Sequence, residues 1–351
     1  CAPAAQEVEY DLCSFLDQAP DGPVLKAGLI GCGGRGTGAA QNFLEAGPSL
    51  EIIGLADVLP DKLAETKNKL KENKNHVVPD ENCFIGFDAY EKLLALDIDI
   101  VLIATPPHFR PIHFEAAVQA RKHVFMEKPV AVDPQGAVSI MGTAKKAEGL
   151  GLSVVAGTQR RHKRNYVETY KKIAGGMIGE LTGGNVYWNG GKLWHKDPNP
   201  NWNEMEYMIR DWVNWIWLSG DHIVEQHVHN LDVANWFFGA HPVKALGFGS
   251  RQHRVTGDQF DNFSVDFVFE DEYRLPPLSE VESFISSNKH LPGIPTEAEV
   301  KEKGVNVGNI SSKLLQKIEE LTLYMIDLKK ENDSLKAKLD GIQEELGKQH
   351  D

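Results

Sequence analysis

Between residues 24 and 152 the chain alternates short apolar, β-branched runs with longer stretches whose apolar positions recur every three or four residues. That alternation is the pattern of βαβ units around a parallel sheet. It predicts strands over residues 24–30, 51–56, 99–104, 123–126 and 152–156, with helices near 36–45, 62–72, 111–120 and 134–148. The fold class is therefore α/β, with a doubly wound parallel sheet over residues 24–156 and an α+β region over 157–272. The second region carries most of the tryptophans and closes on two strand-like runs, 243–248 and 263–269.

Near Tyr273 the pattern changes. From there on the only aromatic residues are Tyr273, Phe284 and Tyr324, and there is no tryptophan. Residues 273–312 read as a linker region and 313–349 as a coiled-coil helix. Ile318, Leu321, Met325, Leu328, Asn332, Leu335, Leu339, Ile342 and Leu346 keep a strict 3-4 spacing, the a/d seam of a coiled coil. With Ile318 at a, Asn332 also falls at a, where a buried Asn fixes register, and Glu331 with Lys336 supplies a g-to-e pair. The expected partner is a second copy of the chain; an intramolecular amphipathic helix is the other reading.

Composition narrows the function classes. The 351 residues hold 50 acidic and 37 basic side chains, a net charge of −13, with 42% hydrophobic residues. This describes a soluble globular protein of about two domains. Without a concentrated basic face, nucleic acid is not an expected partner. No run approaches the ~18 to 20 apolar residues of a membrane helix. The four cysteines, Cys1, Cys13, Cys32 and Cys83, lack the paired spacing of a zinc or redox site, and no metal is expected. Cys1 opens an Ala/Pro/Gln/Glu-rich stretch, residues 1–23, without a core pattern. It reads as a lipidated first residue and tether, with an arbitrary boundary falling on Cys as the alternative.

Three motifs carry candidate chemistry. The first strand runs into Gly31-Cys32-Gly33-Gly34-Arg35-Gly36, a G-x-G-x-x-G turn whose glycines permit a tight bend, close approach of a pyrophosphate, and close packing of the following helix. Asp57, 21 residues beyond Gly36 at the end of the second strand, suits ribose hydroxyls and favours NAD over NADP. Arg35, which suits a 2′-phosphate, pulls the other way. Two further strand ends deliver Thr105, Pro106 and His108, and then Glu127-Lys128-Pro129, to the carboxyl edge of the sheet. A lysine placed there suits polarising a substrate oxygen, and a local ion pair between Lys128 and Glu127 is the competing reading. In residues 221–236, read as one helix, His222, Glu225, His229 and Asp232 fall within an arc of about 80°. A general acid/base site, a solvated or capping face, and a metal site of His222, Glu225 and His229 all fit that stripe, while His227 points elsewhere.

On these motifs residues 24 to about 270 resemble the Gfo/Idh/MocA oxidoreductases, which pair a Rossmann domain with an open-sheet α/β domain. The likeness rests on Gly31 to Gly36, the run from Ala104 to His108, Glu127-Lys128-Pro129, and Glu225-x-x-x-His229-x-x-Asp232. It implies an NAD-dependent oxidoreductase with Lys128 and His229 as the catalytic pair and Glu225 positioning substrate. Gly31, Gly33, Gly34, Arg35, Gly36, Asp57, Thr105, Pro106, His108, Glu127 and Lys128 would hold the cofactor. Arg160, Arg161, His222 and Asp232 would line the substrate side, and Trp188, Trp194 and Trp202 suit either sugar stacking or the core.

The implied substrate is a secondary alcohol of a sugar, sugar derivative or cyclitol. A redox-neutral glycosidase or lyase that keeps its NAD, and an inactive oligomeric scaffold or chimeric fusion, are the alternatives. The resemblance together with Cys1 implies a periplasmic or envelope location rather than a cytoplasmic one. Against the family pattern, Arg110 replaces a common His, Arg121 a helix-ending Gly, and the second domain is shortened. The segment from about Leu275 resembles tail-fibre-like C-terminal regions of bacterial envelope and phage-type proteins.

Overall fold

The computed structural model describes residues 22–268 apart from 180 and 192, residues 277–296, and isolated positions between 299 and 332. Cys1, the tether, and most of the proposed seam, including Ile318, Leu335, Leu339, Ile342 and Leu346, lie outside the described residues. The chain divides into two compact units, Cys1–Phe269 and Glu270–Asp351.

The first unit opens with the alternation expected from the sequence. β1 (Leu25–Ile30), α1 (Gly34–Glu45), β2 (Leu50–Asp57), α2 (Pro60–Lys74), β3 (Cys83–Ile85) and α3 (Ala89–Leu94) form one half. β4 (Ile100–Ile103), α4 (Arg110–Gln119), β5 (His123–Met126), α5 (Pro134–Gly149) and β6 (Val154–Ala156) form the other. The six strands pair in parallel in the order β3-β2-β1-β4-β5-β6. This order reverses between β1 and β4, and ligands of such sheets bind at the carboxyl ends of the strands beside that reversal.

Successive residues of a strand face opposite sides, so each face has its own core. Ala27, Leu29, Ile52, Leu55 and Leu102 pack with Leu63 and Leu70 of α2. Val101, Ile103, Val124 and Met126 pack with Leu93, Phe114 and Ala117 of α3 and α4. Five of the six strands carry the pattern read above; β3 and α3 are additions. Arg121 ends α4 in the left-handed region at φ 57°, while its N–H bonds to Val118 and that of Lys122 to Ala117. This is the paired closure that usually employs glycine.

After β6 a short turn, Gln159–His162, leads into α6 (Arg164–Ala174), then α7 (Glu204–Arg210) and α8 (Ile216–Ser219). The helix expected over residues 221–236 is two helices, α9 (Asp221–Glu225) and α10 (Val228–Phe238), separated by Gln226 and His227. β7 (Lys244–Ser250) and β8 (Asn262–Val268) form an antiparallel pair, with Leu246 and Phe248 exposed. In the second unit α11 (Leu278–Asn288) ends on Lys289 at φ 62°, and Phe284 packs edge-on against His290.

Candidate active site

The glycine-rich turn is shaped by contacts that only glycines permit. Gly31 sits at φ 96°, and a side chain there would run into the backbone of Ala104 and Thr105. A Cβ on Gly36 would overlap the carbonyl oxygen of Gly31. By contrast nothing lies within 4 Å of where a Cβ would sit on Gly33 or Gly34. The Thr37 and Thr66 hydroxyls lie 2.7 Å apart; one donates to the other, and the second donates to its carbonyl, that of Cys32 (2.8 Å from Thr66) or of Gly33 (3.0 Å from Thr37). α1 begins at Gly34 with no side-chain cap. An uncapped helix start behind an open glycine surface fits a pyrophosphate, whose charge the exposed N–H groups and the helix dipole favour.

Asp57 stands at the end of β2 as expected. Its carboxylate accepts from the backbone N–H of Cys32 at 2.5 Å and of Leu59 at 2.8 Å, so it also fixes the glycine-rich turn. Burial raises its pKa, against the pull of those hydrogen bonds. Arg35 is tied to Glu127 at 2.5 Å, which directs its guanidinium to the end of β5. Thr105 shares a hydrogen bond with His113 at 3.2 Å, and burial holds that histidine neutral with a pKa of about 4. Pro106 precedes a short turn in which His108 packs edge-on against Trp217.

Arg110, noted in the sequence only as a departure, binds the two strand exits together. Its buried guanidinium donates to the carbonyls of Thr105 and Glu127, each at 2.8 Å, and to that of Pro129. Burial lowers its pKa to about 10, so it stays charged at neutral pH. A sequence signal existed: a cation at a helix start opposes the helix dipole and needs carbonyls to answer it.

Lys128 follows Glu127 but does not pair with it. Its ammonium donates to the Glu225 carboxylate at 2.8 Å and to the Glu225 main-chain carbonyl at 2.6 Å. His229, 5% exposed, stacks on Trp188 with ring centroids 5.5 Å apart. Its Nδ1 is buried without a partner. Burial, followed by the positive charges of Lys128 and Arg160, pushes its pKa down to about 4, so the imidazole is neutral at physiological pH.

The break after Glu225 splits the polar stripe expected on one helix face. Glu225 pairs with the lysine and His229 lines the same cleft as it, whereas the His222 ring faces His227 and Phe263. Asp232 is held by the Arg161 guanidinium through two of its nitrogens. Arg160 bonds the amide oxygen of Asn230 and lies over Trp188. Trp194 packs edge-on against Trp212 and Trp202 lies under Arg210, which leaves Trp188 as the member of that trio beside His229. Asn230 and the His229–Trp188 stack carried no spacing signal.

A cleft of about 810 Å³ is shared by Arg35, Glu127, Lys128 and His229. Phe43 of α1 and Leu102, Phe125 and Val155 of the sheet form its apolar side. Arg35, Glu127, Lys128, Gln159, His162 and His229 form the polar end. The arrangement places a neutral base and a lysine at the carboxyl edge of a sheet whose first turn is built for a dinucleotide.

Comparison with known proteins agrees with the nucleotide-binding fold of the sheet. Residues 25–155 match the family model described as "Oxidoreductase family, NAD-binding Rossmann fold". A myo-inositol 2-dehydrogenase of Thermotoga maritima is 24% identical over 226 residues, 64% of this chain and 58% of the relative. A glycosyl hydrolase family 109 protein of Streptomyces coelicolor is 28% identical over 163 residues, 46% of this chain and 33% of that protein. Among solved structures, the WlbA dehydrogenase of Bordetella pertussis in complex with NADH and UDP-GlcNAcA superposes with a TM-score of 0.55 at 18% identity, covering 72% of this chain and 65% of that one. This likeness is one of fold. The chain spans less than two thirds of the length of the first curated relatives it matches.

Proposed function

We propose that this chain, whose residues 25–155 form a Gfo/Idh/MocA-type NAD-binding domain, is an NAD-dependent oxidoreductase acting on a secondary alcohol of a sugar or cyclitol. One observation carries the reading: His229, neutral and with an unpartnered Nδ1, lies on the same cleft as Lys128, at the polar end beside the glycine-rich turn. Gly31 to Gly36 and the start of α1 would hold the pyrophosphate, and Asp57 the ribose. When bound there, nicotinamide supplies the two-electron acceptor or donor.

The protein's own groups supply the proton chemistry. His229, uncharged, takes the proton from the substrate hydroxyl as general base. Lys128 steadies the negative charge that develops on that oxygen, while Glu225 keeps the ammonium aimed. Trp188 fixes the plane of the His229 ring. Arg110 fixes the strand exit from which Lys128 extends.

The test is made on natively purified protein, by bound-nicotinamide content, NADH binding, and net NADH formation with a panel of sugars and cyclitols. NADH formation that is lost in Lys128→Met and His229→Ala supports the reading; unchanged turnover in both variants removes the assignments. Similarity to the glycosyl hydrolase family 109 protein favours a second reading, glycoside cleavage with retained NAD. Cleavage without net NADH would establish it in place of the first. A folded chain with no nicotinamide affinity would leave only a scaffold.

One further feature belongs to the proposal. Self-association through the seam is supported by Leu321, Met325 and Leu328, which are helical and exposed at the spacing described. A solution mass equal to one chain would refute it.

A further inference from the structure

We propose that the substrate of this site carries a carboxylate and that Arg160 reads it; the proposal rests on the oxidoreductase reading above. The argument is one of matched charge. Three cations around the site have carboxylate partners: Arg35 with Glu127 at 2.5 Å, Lys128 with Glu225 at 2.8 Å, and Arg161 with Asp232 at 2.9 Å. Arg160 has none among the described residues. One of its terminal nitrogens donates to the Asn230 amide oxygen, and the guanidinium lies 5.4 Å from the ring centre of Tyr166 and 5.2 Å from that of Trp188. These neutral partners orient the cation without neutralising it.

A half-buried guanidinium that keeps its charge without an anion is costly, and a site built to receive an anion recovers that cost on binding. Asn230 occupies one nitrogen and leaves the Nε edge, which presents two parallel N–H groups and matches a carboxylate side-on. The same indole that carries Arg160 also stacks on His229, so the unmatched cation and the proposed base rest against one ring.

The surrounding field agrees. Arg161 is matched by Asp232, and just past the turn the exposed Lys163 adds a second cation beside Arg160, in a chain whose net charge is −13. A positive mouth on an acidic protein draws in anions and raises their local concentration. The class of substrate that fits is a polyhydroxylated acid, a uronic or aldonic acid, with its carboxylate on Arg160 and a secondary hydroxyl at His229.

The experiment is a titration of the full chain loaded with NADH, followed by cofactor fluorescence. The ligands are D-glucuronate, D-galacturonate and D-gluconate, each beside its neutral parent D-glucose, D-galactose or D-glucitol. At least one acid is expected to bind about tenfold or more tighter than its parent, the scale of a charge-assisted bidentate contact. Arg160→Gln is expected to erase that preference while NADH affinity, which reports an intact fold, is kept. Parents that bind as well as the acids, acids that fail to bind, or a preference that survives Arg160→Gln would each overturn the proposal. If the chain binds NADH but prefers neutral polyols, only the carboxylate assignment falls; if it binds no NADH, both readings fall together.

Discussion

His229 shows what burial does to a single side chain. An imidazole that titrates near 4 instead of near 6.5 is available as a base across the whole physiological range. The acid limb of kcat/KM is therefore expected near pH 4, with a plateau above about pH 5; a limb near 6.5 would show that the ring is solvated. Arg110 makes the complementary case. Replacing it by Met leaves the carbonyls of Thr105, Glu127 and Pro129 without their donor, at a cost of about 2 kcal/mol in unfolding free energy, measured by urea titration. The candidate residues Lys128, Glu225 and His229 were legible because each sits in a short motif. The partners of Trp188 and Asn230 were not, because they depend on which ring or side chain folding brings against them, and Arg110 gave only the signal of a cation at a helix start.

At the level of elements the glycine-rich turn separates fold from function. Gly33→Ala meets no neighbour, and at φ −73° the residue has an ordinary backbone, so stability should stay within about 0.5 kcal/mol while NADH affinity falls at least about tenfold. Gly36→Ala strikes the Gly31 carbonyl and should cost about 2 kcal/mol or more in stability as well. Paired thermal melts and NADH titrations distinguish the two. Arg121→Gly should raise stability by about 1 kcal/mol by relieving the left-handed residue at the end of α4. The five strands other than β3 were legible because each lies in an apolar run, as strands of a sheet covered on both faces do. β3, Cys83-Phe84-Ile85, is too short to hold a period. The break after Glu225 was hidden for a different reason: residues 221–236 contain neither Gly nor Pro, and the interruption comes from Lys128 taking the Glu225 carbonyl and from the contact between His222 and His227.

For the whole molecule, three neutral histidines, two buried and His222 half-buried, set the response to acid. His113, His222 and His229 each titrate near 4 when folded, so between about pH 6.5 and 4 the unfolded chain binds protons that the native chain refuses. Stability is therefore lost as the pH falls through that window. Asp57 and Asp221, whose pKa values burial raises, oppose the loss at its acid end. The urea midpoint should be lower at pH 5 than at pH 7, and an unchanged midpoint would contradict the burial of these rings. The contact between Lys128 and the Glu225 main-chain carbonyl reaches further still. The last carbonyls of a helix have no partner within it, so a lysine delivered by the nucleotide-binding sheet closes the end of α9. Two of the ammonium's three N–H groups go to Glu225, one to its carboxylate and one to its carbonyl, which leaves the third for a bound oxygen. A ligand at that position and residues 221–225 are then fastened to one group, and by thermodynamic reciprocity each steadies the other.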